Sequence, residues 1–464
     1  MTAASRLVCA GCGLEADPAD PYPFRCRNAR EGDDVDHVLR RRLDSAQLVF
    51  PVAAGDASPF VTYRSLLHAY HVGRARGLTD EQFVQLVTDL DDRVKAVDGH
   101  GFRVTPFARC DELSDRLGFS ATGGVWIKDE TGNVSGSHKA RHLFGVLVWL
   151  NVAERTGLAP DGRARELAIA SCGNAALAAA VVAAADDRRL RVFVPVDADP
   201  VVEGRLEELG AHVVTCPRRE GEHGDPTVTA LLQAISGGAL AFTCQGNLNG
   251  LAVEGGETLA WEIASSQVEL DRLVVQVGGG ALASACVEGL GEAQALRAVR
   301  RTPRVDTVQT ESAWPLRRAY DGVAARGYPA GVSYAAHHRH EFMWPWETTP
   351  ASIAHGILDD ETYDWLAVVE GMLATGGEPV VVGEESLADA NELARATTGV
   401  TVDPTGSAGL AGLVALCESG RVADGERVGV LFTGVDRSAS KQKGARDAEL
   451  PRARHSVAQG LRTV

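Results

Sequence analysis

Lys139 stands near the end of WIKDETGNVSGSHKAR, residues 126–141, behind Ser135, Gly136 and Ser137, small residues that let a backbone approach a ligand closely. The apolar HLFGVLVWL that follows has the length and bulk of a buried helix, so the lysine falls at a helix entrance. Desolvation there disfavours an ammonium ion, and a neutral amine can condense with an aldehyde or take a proton from carbon. Standing alone, such a lysine would read as a solvated residue on a first helical turn.

Three further segments carry complementary chemistry. In VQVGGGALAS, residues 275–284, Gly278, Gly279 and Gly280 separate an apolar strand from a helix starting near Ala281, so backbone N–H groups converge as an anion cradle. A tight strand-to-helix turn is the plainer reading of a lone GGG. The run is not GxGxxG and no acid is placed for a ribose, which makes a dinucleotide site the weaker choice. SCGNAALAAA, residues 171–180, sets Ser171, Gly173 and Asn174 at a second such turn, where N–H groups suit a carboxylate and where Ser171 or Asn174 could equally cap the helix. Thr433, in LFTGVD at 431–436, ends a strand.

In order and spacing these four segments resemble the fold-type II pyridoxal-phosphate enzymes, which include threonine synthase, the tryptophan synthase β subunit, serine and threonine ammonia-lyases and cysteine synthase. The resemblance covers roughly residues 103–436, starting with a TPF at Thr105 similar to the family's TPL. It implies pyridoxal 5′-phosphate held as a Schiff base on Lys139, which then serves as base for the α-proton of a small amino-acid substrate. It also implies phosphate binding by Gly278, Gly279, Gly280, Ala281 and Leu282, and a substrate-carboxylate clamp of Ser171, Gly173 and Asn174, with Asn174 also reaching the phenolic oxygen. Thr433, with Ser438 as competing candidate, would set a hydroxyl against the pyridine nitrogen. A hydroxyl cannot keep that nitrogen protonated, so the ring is a weaker electron sink, suited to elimination and replacement at Cβ or Cγ.

Other positions resemble the family more loosely. Cys172 replaces a common Thr in the carboxylate loop, and His138 occupies a variable place, often Phe in threonine synthases and His in the tryptophan synthase β subunit, where stacking near the cofactor and simple packing are equal readings. Glu254 and Gly255 look like the family's EG turn before a helix, and DPTGSAGLAGL at 403–413 like a segment lining the cofactor's far side, with Ser407 its polar member. Neither Glu254 nor Ser407 enters the catalytic set. SHKAR departs from the SFKDR of threonine synthases through Ala140, while Arg141 remains, which bears on how a phosphorylated substrate is handled. The implied activity is a carbon–oxygen or carbon–nitrogen lyase or synthase, threonine synthase-like. A serine/threonine-type ammonia-lyase or β-replacing synthase is the alternative, and a catalytically silent cofactor-binding regulator a further one. Relatives commonly form homodimers.

The elements that must hold these residues follow from periodicity. From 166, ELAIA, an alanine-rich helix, RVFVPV, the helical VVEGRLEELG and AHVVTC alternate as βαβαβ; a second alternation runs through RLVVQVGGG, RVDTVQTE and RVGVLFTG. The expectation is an α/β chain of two doubly wound parallel-sheet domains with an N-terminal extension: 1–100 as extension, 101–136 with 246–440 as the larger domain, 137–245 as the smaller domain carrying the lysine, and 441–464 as a loosely held tail. Within the extension, Phe83, Leu86, Val87, Leu90 and Val94 recur at helical spacing over 78–96 behind Thr79 as cap. Residues 312–378, rich in His and Trp, read as an irregular lid without metal-ligand spacing.

At the amino terminus Cys9 and Cys12 form a CxxCG knuckle with Cys26 beyond a proline-rich turn, which resembles the zinc-ribbon start of some threonine synthases. Position 29 is Ala29 in place of the usual fourth cysteine, so a tetrahedral site would need His37 or an acid such as Asp34. A metal-free vestige is the reading taken. With a net charge of −16, 45% apolar and 23% charged residues, the chain is globular and a poor nucleic-acid binder; the Arg40–Arg42 and Arg188–Arg191 runs read as solvated surface. AALAAAVVAAA at 175–185 is too short for a membrane span and reads as a buried helix. Nine scattered cysteines and the lack of a signal peptide in residues 1–10 point to the cytoplasm.

Overall fold

The computed structural model describes residues 4–30, 32–52, 57–218 and 225–437. The expected tail and Ser438 lie outside them. β1 (Ser5–Cys9) and β2 (Leu39–Leu43) pair antiparallel as a ribbon. β3 (Phe107–Arg109) and β4 (Gly124–Asp129) begin a second sheet, which the chain leaves for β5 (Leu167–Ala170), β6 (Leu190–Pro195), β7 (His212–Cys216) and β8 (Leu240–Ala241). These four form a parallel sheet in the order β7-β6-β5-β8. The chain then returns with β9 (Arg272–Gln276), β10 (Arg304–Thr310), β11 (Pro379–Val382) and β12 (Arg427–Phe432). The resulting six-stranded sheet, β11-β10-β9-β12-β4-β3, is parallel except for β3. Every residue of β9 is buried, as expected for a strand covered by helices on both faces.

The helix read at 78–96 runs Asp80–Asp98, opened by a capping box between Thr79 and Gln82 and closed by Gly99 at φ 91°. Its apolar stripe does more than lean on the core. Phe60 and Phe102 pack on Phe144 of the lysine-bearing helix, with centroids 4.7 and 4.5 Å away, and the extension shares one apolar core with the smaller sheet. The alanine-rich run forms the buried helix Asn174–Ala185. Among the described residues no helix is long and apolar enough to cross a membrane.

Two expectations need correction. Arg40 and Arg41 are interior: Arg41 pairs with Glu254, Glu257 and Glu292, and Arg40 with Glu288 and Glu370. Arg188 is likewise buried against Asp186 and Glu154, while Arg42 and Arg189 stay exposed. The acids that match Arg40 and Arg41 lie more than 200 positions away, so no local pattern announces that pairing; Arg188 has one acid two positions off, Asp186, and one distant, Glu154. Residues 312–378 are also more regular than a lid, with helices Pro315–Ala324, Ala330–Ala335 and Trp365–Thr375. The first two are too short for a helical period to stand out.

Candidate active site

Lys139 opens the helix Lys139–Arg155, and the loop before it is held from three sides. Ser135 at φ 55° and Gly136 at φ 68° reverse the backbone through left-handed steps. Asp98, ending the helix of the extension, accepts the Ser135 N–H at 2.9 Å. Ser137 bridges to Gly434, and the Thr433 carbonyl accepts both the N–H and the Nδ1–H of His138 at 3.1 and 3.2 Å. The lysine is therefore half-buried and tied to the end of β12, not displayed on a solvated turn. Burial and the neighbouring Lys139 charge hold His138 well below the ordinary imidazole range and His142 down to about 3, so both rings are neutral at neutral pH. His142 donates through Nδ1 to the Ala252 carbonyl at 2.8 Å, and its buried Nε2 has no partner among the described residues.

Arg141 belongs to the foundation of this loop. Its guanidinium binds Glu130 at 2.7 and 2.9 Å and Glu262 at 2.7 and 3.1 Å, and also reaches Thr258 and Thr105. Lys128 donates to Glu262 at 2.5 Å and to the Thr105 carbonyl at 2.8 Å. Two cations and two carboxylates are thus sealed together, and their attraction, with the hydrogen bonds, offsets desolvation. Asn133 carries the network upward, donating to Glu130 and to the Ser137 carbonyl.

Thr433 follows β12 directly and is only 3% exposed. Its Oγ1 accepts from Gln276 Nε2 at 2.8 Å, and the same amide reaches the carbonyls of Gly406 at 2.7 Å and Thr405 at 3.2 Å. An amide N–H only donates, so the hydroxyl accepts there and keeps its own proton for another acceptor. Gln276, at the end of β9, escaped the sequence reading.

The glycine turn follows it. Gly280, at φ 94°, precedes the helix Ala281–Ala295, whose first turn includes Leu282. A Cβ at Gly278 would collide with Asp359 Oδ2; one at Gly279 would lie 2.9 Å from Tyr363, and one at Gly280 2.8 Å from Thr362. Burial pushes the Asp359 carboxyl, which packs against Gly278, up to about 6, and the Lys139 charge and the nearby Gly279 N–H pull it back down. The turn is packed against a carboxyl group of the chain's own. The Lys139 charge also acts on Cys244 and on Asp364, which packs against Gly280, so the lysine lies within electrostatic reach of the glycine turn.

Asn174 opens its helix, with no side chain capping it among the described residues. Its Oδ1 accepts from Arg437 Nη1 at 2.5 Å, and Arg437 Nη2 donates to the Ser135 carbonyl at 2.5 Å. A Cβ at Gly434 would lie 2.7 Å from Asn174 Nδ2. Ser171 Oγ accepts the Gly173 N–H at 3.4 Å, completing the turn. The carboxylate loop, the lysine loop and the Thr433–Gly434 step therefore meet. Arg437, like Gln276, Asp98 and Asp359, has no local motif that marks it.

Other candidates lie elsewhere. Glu254 falls inside the helix Leu251–Ser265, not in a turn before it, and accepts the His68 N–H at 2.7 Å; Gly255 is needed because a Cβ there would strike the Arg141 carbonyl. Ser407 is bonded to Asn391 and to the Asp403 carbonyl. Cys9, Cys12 and Cys26 gather at the ribbon, apart from this constellation.

A profile of the pyridoxal-phosphate dependent enzymes matches residues 100–434, and the chain belongs to that family. Its cofactor is pyridoxal 5′-phosphate. Threonine synthase of Methanocaldococcus jannaschii is 24% identical over 333 residues, 71% of this chain and 74% of that one. Among solved structures, maize serine racemase superposes with a TM-score of 0.55 at 18% identity, over 79% of this chain and 97% of its own. The processed form of threonine deaminase isoform 2 from Solanum lycopersicum gives 0.57 at 17% identity, over 80% and 95%. Likeness at that identity speaks for the fold alone. The residues present fit the cofactor: three glycines without room for a Cβ border a buried carboxyl, the charge of Lys139 reaches that carboxyl, and Thr433 holds a proton to offer.

Proposed function

We propose that this protein is a lyase or synthase that removes the α-proton of a small amino acid and then expels or replaces a group at Cβ or Cγ, in the manner of threonine synthase. The observation that carries the reading is the pairing of Thr433 with Gln276, which puts a hydroxyl, not a carboxylate, at the end of β12 beside the lysine loop. Pyridoxal phosphate, when bound, supplies an electron-withdrawing ring that stabilises a carbanion. The Lys139 amine would hold the cofactor through its aldehyde and, when free, would be the base for the α-proton. The neutral His138 and His142 add no positive charge beside it. Ser171, Gly173, Asn174 and the open helix N-terminus behind them receive the substrate carboxylate. The amides from Gly278 to Leu282 would hold the phosphate, in space that Asp359 borders. Thr433 would offer its hydroxyl proton to the pyridine nitrogen without charging it, which disfavours transamination.

One observation favours a second reading, a serine/threonine-type ammonia-lyase. Arg141 is consumed by Glu130 and Glu262 and offers nothing to a phosphorylated substrate. The test is a panel of amino acids, phosphorylated and not, added to the holoenzyme while cofactor absorbance, keto acid, ammonia and phosphate are followed. Phosphate release with threonine formation supports the first reading; keto acid with ammonia supports the second. No spectral response to any amino acid, with no cofactor fixed on Lys139 by borohydride, overturns both.

A further inference from the structure

We infer that Cys9, Cys12, Cys26 and His37 form a closed structural zinc site that fastens the amino-terminal ribbon to residues 336–365. Their ligand atoms all lie within 4.8 Å of one another. A tetrahedral zinc with Zn–S of about 2.3 Å and Zn–N of about 2.0 Å requires ligand-to-ligand edges of roughly 3.5–3.8 Å. Two of the edges are of that size: Cys12 Sγ to Cys26 Sγ is 3.6 Å and Cys9 Sγ to His37 Nδ1 is 3.4 Å. All nine cysteines are free thiols, so no disulfide competes for these sulfurs.

The surroundings are those of a thiolate site. Cys9 Sγ accepts the Cys12 N–H at 3.5 Å, Cys26 Sγ accepts the Asn28 N–H at 3.4 Å, and Cys12 Sγ accepts from Asn28 Nδ2 at 3.6 Å. His37 turns its other nitrogen to Asp33 Oδ2 at 2.9 Å, the outer carboxylate that orients a ligating imidazole and leaves Nδ1 for the ion. Gly11, inside the knuckle, allows the loop to pass against Asp36, whose carbonyl oxygen a Cβ would approach to 2.6 Å. Three sulfurs and one nitrogen are a soft set suited to zinc, and with all four places taken by protein the ion has no open position for catalysis. Binding exchanges the thiol protons for the ion. Asp34, the other candidate for fourth ligand, instead pairs with His340.

The stretch around His37 reaches the chain that covers the glycine turn. Asp36 N–H bonds the Ala336 carbonyl at 2.8 Å, the Asp34 carbonyl accepts the Arg339 N–H at 2.9 Å, and Asp36 Oδ1 accepts from Trp365 Nε1 at 3.1 Å. Zinc on His37 therefore holds the docking face of these acids in shape.

The full-length chain, purified without chelator, is expected to carry one zinc by elemental mass spectrometry. Cobalt exchanged into it should show thiolate-to-metal charge transfer and tetrahedral ligand-field bands, and chelation should raise amide exchange across 336–343. His37→Gln should lower cobalt affinity by at least about tenfold and alter the ligand-field bands. Absence of stoichiometric zinc together with absence of a thiolate–cobalt band in the unmutated protein overturns the site, as does a Cys12–Cys26 disulfide in peptides mapped without reductant. A wild-type cobalt spectrum in His37→Gln removes the histidine from it, and unchanged exchange on chelation removes the fastening role. None of these readouts depends on the amino-acid chemistry proposed above.

Discussion

Thr433 Oγ1 receives one amide donor and keeps one proton, so its removal and that of Gln276 have different signatures. Thr433→Val strips the proton offered to the cofactor ring; turnover is expected to fall about tenfold or more, in kcat more than in KM, with visible cofactor absorbance retained. Gln276→Leu leaves the hydroxyl but frees the carbonyls of Gly406 and Thr405, at a stability cost of about 1–3 kcal/mol in denaturant unfolding. Lys139→Ala should lose the visible absorbance of the lysine-bound cofactor and at least about a thousandfold in turnover, with far-ultraviolet circular dichroism unchanged. Asp359 Oδ2 packs against Gly278 and so stands in competition with the phosphate proposed for this turn. Asp359→Asn should therefore retain the cofactor more tightly than wild type in a dialysis titration, and equal or weaker retention would refute the competition.

The strand-to-helix turns were readable because their chemistry is local: small residues, an apolar strand before and an apolar helix after. The β5–β7 alternation, the strands β9, β10 and β12 and the capped helix Asp80–Asp98 were legible for the same reason. β3, β8 and β11, with three, two and four residues, are too short to show a period, and the sequence pattern does not reveal them. Less accessible still were the partners that aim the site, because Asp98, Gln276, Asp359 and Arg437 act across dozens or hundreds of positions. One such link is testable by itself. Asp98→Ala breaks the bond from the extension's helix to the Ser135 N–H; an expected loss of about 1 kcal/mol should accompany faster hydrogen exchange in the lysine loop, measured at 134–138.

Across the whole molecule, buried carboxyls and buried imidazoles pull stability in opposite directions with pH. Burial raises Asp36 from 3.8 to about 6, and Glu254 and Asp364 from 4.5 and 3.8 to about 7. Each holds its proton longer folded than unfolded, so the stability it contributes is present below the ordinary value and is lost as pH rises through the raised one. His68 and His142 are lowered from 6.5 to about 3; their contribution is present above 6.5 and is lost as pH falls toward 3. Asp364→Asn removes one acid from this balance. Its unfolding free energy relative to wild type should increase between about pH 4 and 7 and level off above, as read from urea midpoints; a pH-independent difference would contradict the assignment. The sealed set of Lys128, Glu130, Arg141 and Glu262 has a different consequence. Glu130 follows the large-sheet strand β4, and Arg141 lies on the lysine-bearing helix. A chimera that borrows one half from a distant relative must import the matching charges with it, or strand a guanidinium in oil.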